Sequence, residues 1–223
     1  MKNLPYDAII FDFDGTLIDT ESPDFRGCEL LFAEHGLTLD VKIWAEKIVG
    51  HTTGYDDLFA SILTTSQNGL TADSLRKRLK ELWATTFTQV ELMPGVDRLI
   101  PQLSNAGFPL AIATASDKAW VNRWLGQHSL LSYFHAIATR DDVEHNKPAP
   151  DVYLFAASQL GVKPERCLVF EDSVAGMQSA KAAGMTVIAV PSPVTKSLNF
   201  SRADGLVDGL TQVTINWIER LKV

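Results

Sequence analysis

Two aspartates spaced two apart, Asp12 and Asp14, sit where the apolar run Ala8 to Asp12 (AIIFD) meets the turn-like Asp14-Gly15-Thr16. Residues two apart on a strand share a face at roughly 6.6 Å, less where the chain begins to turn. Both carboxylates should therefore project from the carboxyl end of a buried strand, the end at which open α/β sheets bind ligands. Asp-Gly is also a common solvated turn pair, so this motif alone leaves both readings open. A second acidic pair, Glu171-Asp172, closes the run Leu168 to Glu171 (LVFE). If the strand ends meet, three or four carboxylates converge, and one like-charge pair at 4 Å costs about 4 kcal/mol at an effective dielectric near 20. A hard divalent cation resolves that conflict. Magnesium suits it, because it takes oxygen ligands, keeps waters and binds one or two carboxylates beside a substrate phosphate.

Two more elements suit an anion. Thr114-Ala115-Ser116 ends the run Leu110 to Ala115 (LAIATA) ahead of a helical pattern, so a hydroxyl and backbone N–H groups there can hold phosphate oxygens. Lys147, in His145-Asn146-Lys147-Pro148, supplies an ammonium, and Pro148 biases it toward extended backbone.

The elements that must position these groups are legible as short apolar runs: Ala8 to Asp12, Leu110 to Ala115, Ala136 to Thr139, Leu168 to Glu171 and Val187 to Val190. Unbroken apolar strands are buried on both faces, and helical patterns between them predict a parallel, doubly wound (Rossmann-like) α/β sheet. Asp151 and Ser173 are read as helix starts, with Gly161 and Gly184 as stops. From about Ser22 to Val90 only helical periodicity occurs, in FRGCELLFAEHG, WAEKIVG, DDLFASIL and SLRKRLKELWATTF. This predicts a small all-helical insertion after the first strand. The expected division is a core of residues 1–17 and 92–223 with a cap of 18–91, hinged at Ile18 to Glu21 and at Leu92 to Gly95. The tail from Asp204 is read as a last short strand and a closing helix.

Composition narrows the function classes. The formal charge of −7 and the lack of a Lys/Arg stripe with interleaved aromatics argue against nucleic acid. Arg76, Lys77, Arg78 and Lys80, near Glu81, read as a solvated helix face. No apolar run approaches the roughly 18 residues of a bilayer crossing, and the start lacks a signal-peptide pattern, so a cytoplasmic protein without a membrane partner is expected. Cys28 and Cys167 lack metal-ligand spacing and read as buried structural thiols.

Taken in order, DFDGTL (Asp12 to Leu17), Thr114 in ATAS, Lys147 in NKPAPD and Glu171-Asp172 in FEDSVAG resemble the four motifs of the haloacid dehalogenase superfamily of phosphatases, with a helical cap of the β-phosphoglucomutase-like type. The resemblance spans residue 6 to about 190. It implies that Asp12 is a nucleophile forming an aspartyl-phosphate and that Asp14 protonates the leaving oxygen, then activates water. It implies Mg²⁺ held by the Asp12 carboxylate, the Asp14 backbone carbonyl, Glu171 and Asp172. Lys147 would stabilise charge and Thr114 would orient the transferring group, with Phe13, Gly15, Thr16, Ala115 and Ser116 lining the phosphate. The substrate implied is a small phosphate ester, a sugar phosphate first, and the family default is a monomer.

Asp14 argues against dehalogenases, which resemble DxYGT and lack the second aspartate. A phosphosugar mutase is the alternative. There the cap resembles GxSRxxS, whereas this chain has Gly50-His51-Thr52-Thr53-Gly54-Tyr55, with threonine in place of arginine. A mutase also places a histidine where this chain has Asp24. His51, Tyr55 and Glu21 are candidates for the cap side of the pocket, while Trp44, Trp83, Trp120 and Trp124 read as packing. A catalytically silent scaffold should have lost one of the four motifs.

Overall fold

The computed structural model describes residues 5–50, 54–65 and 69–221. Six parallel strands form one sheet: β1 (Ala8–Phe11), β2 (Leu110–Ala113), β3 (Ala136–Ala138), β4 (Cys167–Glu171), β5 (Thr186–Ala189) and β6 (Gly205–Leu206). They lie in the order β3-β2-β1-β4-β5-β6, so β1 and β4, which end in the two acidic pairs, are neighbours at the centre. The register Phe11 opposite Phe170 places Asp12 beside Glu171.

Every residue of β1, β2 and β4 is buried, which explains why these strands read as continuous apolar runs. The strand period of two still sorts them by size. Ile9, Phe11, Leu110, Ile112, Leu168 and Phe170 face one side and meet α5 (Val96–Asn105), α6 (Lys118–Gln127) and α9 (Ile215–Arg220). Ala8, Ile10, Ala111, Ala113, Cys167 and Val169 face the other and meet α7 (Asp151–Leu160) and α8 (Val174–Ala182). The small residues on that second face let Tyr153 of α7 lie fully buried against the sheet.

The segment expected to be helical contains α1 (Glu21–Glu34), α2 (Val41–Ile48), α3 (Gly54–Thr65) and α4 (Ala72–Thr86), with a separate apolar centre built on Leu31, Phe32, Trp44, Phe59 and Leu79. Asp40 caps α2 through the backbone N–H groups of Lys42 and Ile43, and Thr71 with Ser74 forms a capping box on α4. The basic face of α4 is exposed and paired, Arg76 to Asp56 and Arg78 to Glu34. The two connections to the sheet run side by side: Ile18 bridges Leu92, the Asp19 N–H donates to the Glu91 carbonyl at 2.9 Å, and that of Met93 to Leu17 at 2.9 Å.

Boundaries depart from the sequence reading in small ways. β2 ends at Ala113, two residues short of the apolar run, whereas Asp151 is the first residue of α7 as expected, and its carboxylate accepts from the His145 backbone N–H at 3.3 Å. Ser173 caps α8 as expected, accepting from the Gly176 N–H at 2.9 Å. The tail forms β6 and α9. Both cysteines are buried and free, and burial pushes the Cys167 thiol up to about 12. No helix among the described residues is long and apolar enough to cross a membrane.

Phe170 is fully buried and stacks on Phe11 with ring centroids 5.2 Å apart, beneath the residues that end in the acidic pair. Phe170→Ala is expected to cost about 3–5 kcal/mol of stability, read as a lowered urea midpoint.

Candidate active site

The carboxyl ends of β1 and β4 bring the predicted carboxylates together. Asp12, Glu171 and Asp172 each present an oxygen within 4.8 Å of the others, and all three residues are buried. Lys147 reaches this trio from the loop before α7, and its Nζ donates to Asp12 Oδ1 at 2.6 Å and to Glu171 Oε1 at 2.8 Å. The same Nζ lies 4.9 Å from the centroid of the Tyr153 ring, whose hydroxyl donates to Glu171 Oε1 at 3.4 Å. Burial alone would lower the Lys147 ammonium, but Asp12 and Glu171 more than offset it and hold its pKa well above the ordinary value.

The carboxylates nonetheless outnumber their cation. Burial, with Glu171 and Asp14 nearby, lifts Asp12 to about 8 in spite of Lys147. Burial and the charges of Glu21, Glu171 and Asp12 raise Asp172 well above the carboxylate range. Thr16 Oγ1 donates to Asp172 Oδ1 at 3.2 Å, whereas Asp172 Oδ2 is buried without a hydrogen-bond donor. An oxygen-only donor set, an orphaned buried carboxylate oxygen and excess negative charge suit a hard divalent cation. Asp12, Glu171 and Asp172 are the residues that could hold it.

Gly15 shapes the floor of this pocket. It takes φ +77°, and a Cβ there would fall 2.3 Å from Asp172 Oδ2 and 2.5 Å from Glu21 Oε2, so any side chain would displace the acids. Glu21, at the start of α1, also accepts from Ser192 Oγ at 2.7 Å, and burial raises its carboxyl well above the usual range. Gly176 plays the matching part on α8, where a Cβ would meet Glu171 Oε1 at 1.5 Å.

Asp14 is held apart from the trio. Its Oδ1 accepts from Thr20 Oγ1 at 2.6 Å and from the Trp120 indole N–H at 2.8 Å, and its Oδ2 from Ser116 Oγ at 2.6 Å, with Thr114 Oγ1 at 3.4 Å. Thr20 stands at the N-cap of α1 but makes no cap bond with its side chain, because the hydroxyl is committed to Asp14. The Ser116 N–H, expected to face an anion, donates instead to Thr114 Oγ1 at 3.0 Å. Phe13 is fully buried in the core, Thr16 binds Asp172, and Ala115 lines the cavity, where its carbonyl accepts from Asn146 Nδ2 at 3.3 Å.

A cavity of about 760 Å³ opens over Asp12, Asp14 and Lys147 and is roofed by the helical segment. Glu21 and Tyr55 line it, as do Trp44, Trp83 and Trp120. His51, Thr52 and Thr53 lie outside the described residues. Asp24 is an acid on the roof that sequence reading treated only as a missing histidine. It accepts from the Tyr55 hydroxyl, from the Trp83 indole N–H at 3.0 Å and from the Cys28 thiol at 3.6 Å. Trp120, Thr20, Ser192 and Tyr153 were also not foreseen as site residues. Thr20 and Trp120 follow Asp14 and Ser116 closely in sequence, but neither spacing is a motif.

Comparison with known proteins identifies the family. The family model described as haloacid dehalogenase-like hydrolase matches residues 9–190. YhcW of Bacillus subtilis (strain 168) is 36% identical over 208 residues, covering 93% of this chain and 94% of that protein. Fructose-1-phosphate phosphatase YqaB of Escherichia coli (strain K12) is 33% identical over 186 residues, covering 83% and 96%. The crystal structure of CbbY from Rhodobacter sphaeroides in complex with phosphate superimposes with a TM-score of 0.73 at 30% identity, covering 97% of this chain and 100% of that one. The chain belongs to the haloacid dehalogenase-like hydrolase family.

Burial lifts Asp24 from 3.8 to about 6, against the donors Tyr55, Trp83 and Cys28. Folding therefore takes up a proton between those values, and stability falls as pH rises through that window. Asp24→Asn removes the titration, so its stability relative to the parent should rise by about 1–3 kcal/mol between pH 4 and pH 7, checked by paired urea titrations.

Proposed function

We propose that this chain is a Mg²⁺-dependent phosphatase that hydrolyses a small phosphorylated metabolite, with a sugar phosphate as the first class, by phosphoryl transfer onto Asp12. The observation that carries the reading is the division of labour between two aspartates two residues apart. Asp12 sits buried against a lysine and among carboxylates that suit a cation, while Asp14 is set aside on four hydroxyl or N–H donors facing the cavity. One carboxylate thus stands at the candidate cation site, where a phosphoryl group can reach it, and the other stands apart on the cavity wall, where it can pass a proton to and from the reacting oxygens. The similarity to a named fructose-1-phosphate phosphatase and to a phosphate-bound structure supports the same chemistry.

In this reading the chain is a phosphoric monoester hydrolase working in two steps. An Asp12 oxygen attacks phosphorus, the ester P–O bond breaks, and Asp14 gives its proton to the departing alkoxide. Asp14, now a carboxylate, takes a proton from the water that attacks the aspartyl-phosphate, which releases phosphate and restores both groups. Lys147 holds Asp12 in place and stabilises charge on the transferring group, and Thr114 orients it, with Phe13, Gly15, Thr16, Ala115 and Ser116 forming the backbone around it. Asp12, Glu171, Asp172 and the Asp14 backbone carbonyl would hold Mg²⁺, which supplies neutralisation of the carboxylates and of the phosphoryl oxygens. Residues 1–17 and 92–223 form the catalytic core and 18–91 a cap, whose paired connections let it open for substrate and close against water.

Purified protein is expected to release phosphate from sugar phosphates with Mg²⁺ and to stop with EDTA. Asp12→Asn should abolish turnover, and Lys147→Ala should lose about 10²–10³-fold in kcat, as for removal of one oxyanion donor. Persistent hydrolysis by Asp12→Asn would refute the assignment. Conversion of β-glucose 1-phosphate to glucose 6-phosphate with little free phosphate would make the enzyme a mutase.

A further inference from the structure

Beside the four motifs, a continuous series of aromatic rings that none of them explains runs along the cavity wall, where Tyr55, Trp83, Phe87 and Trp120 line it, and ends at the buried Trp124. Tyr55 of α3 meets Trp83 of α4 at 5.5 Å between centroids, Trp83 meets Phe87 at 6.4 Å, Phe87 meets Trp120 of α6 at 5.6 Å, and Trp120 meets Trp124 at 5.6 Å. Interplanar angles of 75–89° make every contact edge-to-face, the arrangement that the ring quadrupoles favour. The series starts in the helical roof and ends in the sheet domain. At the catalytic end, the Trp120 N–H donates to Asp14 Oδ1 at 2.8 Å.

Ring packing alone does not require that bond. Trp124, one turn further on, buries its indole N–H without any acceptor. Trp120 is fixed from three directions instead: its backbone N–H by the capping carboxylate of Asp117 at 2.8 Å, its ring by Phe87 and Trp124, and its indole N–H by Asp14. An indole N–H only donates and does not rotate as a hydroxyl does, so it specifies a direction that Thr20 and Ser116 cannot.

We propose that Trp120 is a positioning residue, which aims the Asp14 carboxyl group at the leaving-group oxygen and which the roof helices hold in place through Phe87. The proposal rests on the reading of Asp14 as the proton carrier. The step concerned moves one proton from an Asp14 oxygen to the ester oxygen as its bond to phosphorus breaks. An alkoxide needs that proton, whereas a nitrophenolate leaves with little help. Misplacing Asp14 therefore penalises the two kinds of ester unequally.

The experiment compares kcat/KM for fructose 1-phosphate, or the best sugar phosphate found, with that for p-nitrophenyl phosphate. It is run on the parent protein, Trp120→Phe, Phe87→Leu and Asp14→Asn with saturating Mg²⁺. Trp120→Phe keeps a ring between Phe87 and Trp124 but removes the N–H. Its sugar-to-aryl ratio should fall about tenfold, a fraction of the roughly 10²–10⁴-fold that a positioned acid contributes. Phe87→Leu should lower the ratio less, and it decides the matter if Trp120→Phe does not fold. Asp14→Asn should lower the ratio most. Equal losses on both esters, or no loss, in Trp120→Phe beside a selective loss in Asp14→Asn would overturn the role of Trp120 and leave that of Asp14 standing. An unselective loss in Asp14→Asn would overturn the reading of Asp14 and the proposal with it.

Discussion

The Lys147 ammonium shared by Asp12 and Glu171 is the contact on which the site depends. The central pairing of β1 with β4 sets two acidic strand ends side by side in a buried region at the foot of the cavity, and Lys147 offsets part of their mutual repulsion. One lysine does not balance Asp12, Glu171, Asp172 and Glu21. The fold therefore carries an electrostatic deficit at its centre that favours a bound cation. Breaking such a contact by removing one partner is far more costly than never having built it. Gly15 and Gly176 are subordinate to the same crowding, since each leaves room where a methyl group would strike a carboxylate.

Much of this was legible in the sequence because it is local. The strands that are buried on both faces announce themselves as apolar runs, and the proposed catalytic groups lie at or just beyond their ends or, for Lys147, in the loop after one, so Asp12, Asp14, Thr114, Lys147, Glu171 and Asp172 could be named before any geometry was known. β6 has two residues, too short for a periodicity, and only the existence of a last strand could be expected.

What sequence could not provide is contact across distance. Trp120 is separated from Asp14 by 106 positions and Ser192 from Glu21 by 171, and neither carries a neighbouring residue that marks it. A tryptophan in an amphipathic helix is by default a packing residue. The direction of its N–H and its place on the cavity wall separate Trp120 from Trp124, and both are properties of the folded chain. The same holds for Asp24, whose raised pKa comes from burial beneath α3 and α4 rather than from its sequence neighbours.

The side-by-side connections at Ile18 and Leu92 make the four-helix segment, topologically, a detour that leaves and returns at one point. A short turn could close that gap without disturbing β1, and the closure entropy of a long excursion grows only slowly with its length. Replacing or resizing everything above the junction should therefore leave the pairing of β1 with β2 and β4 as it is.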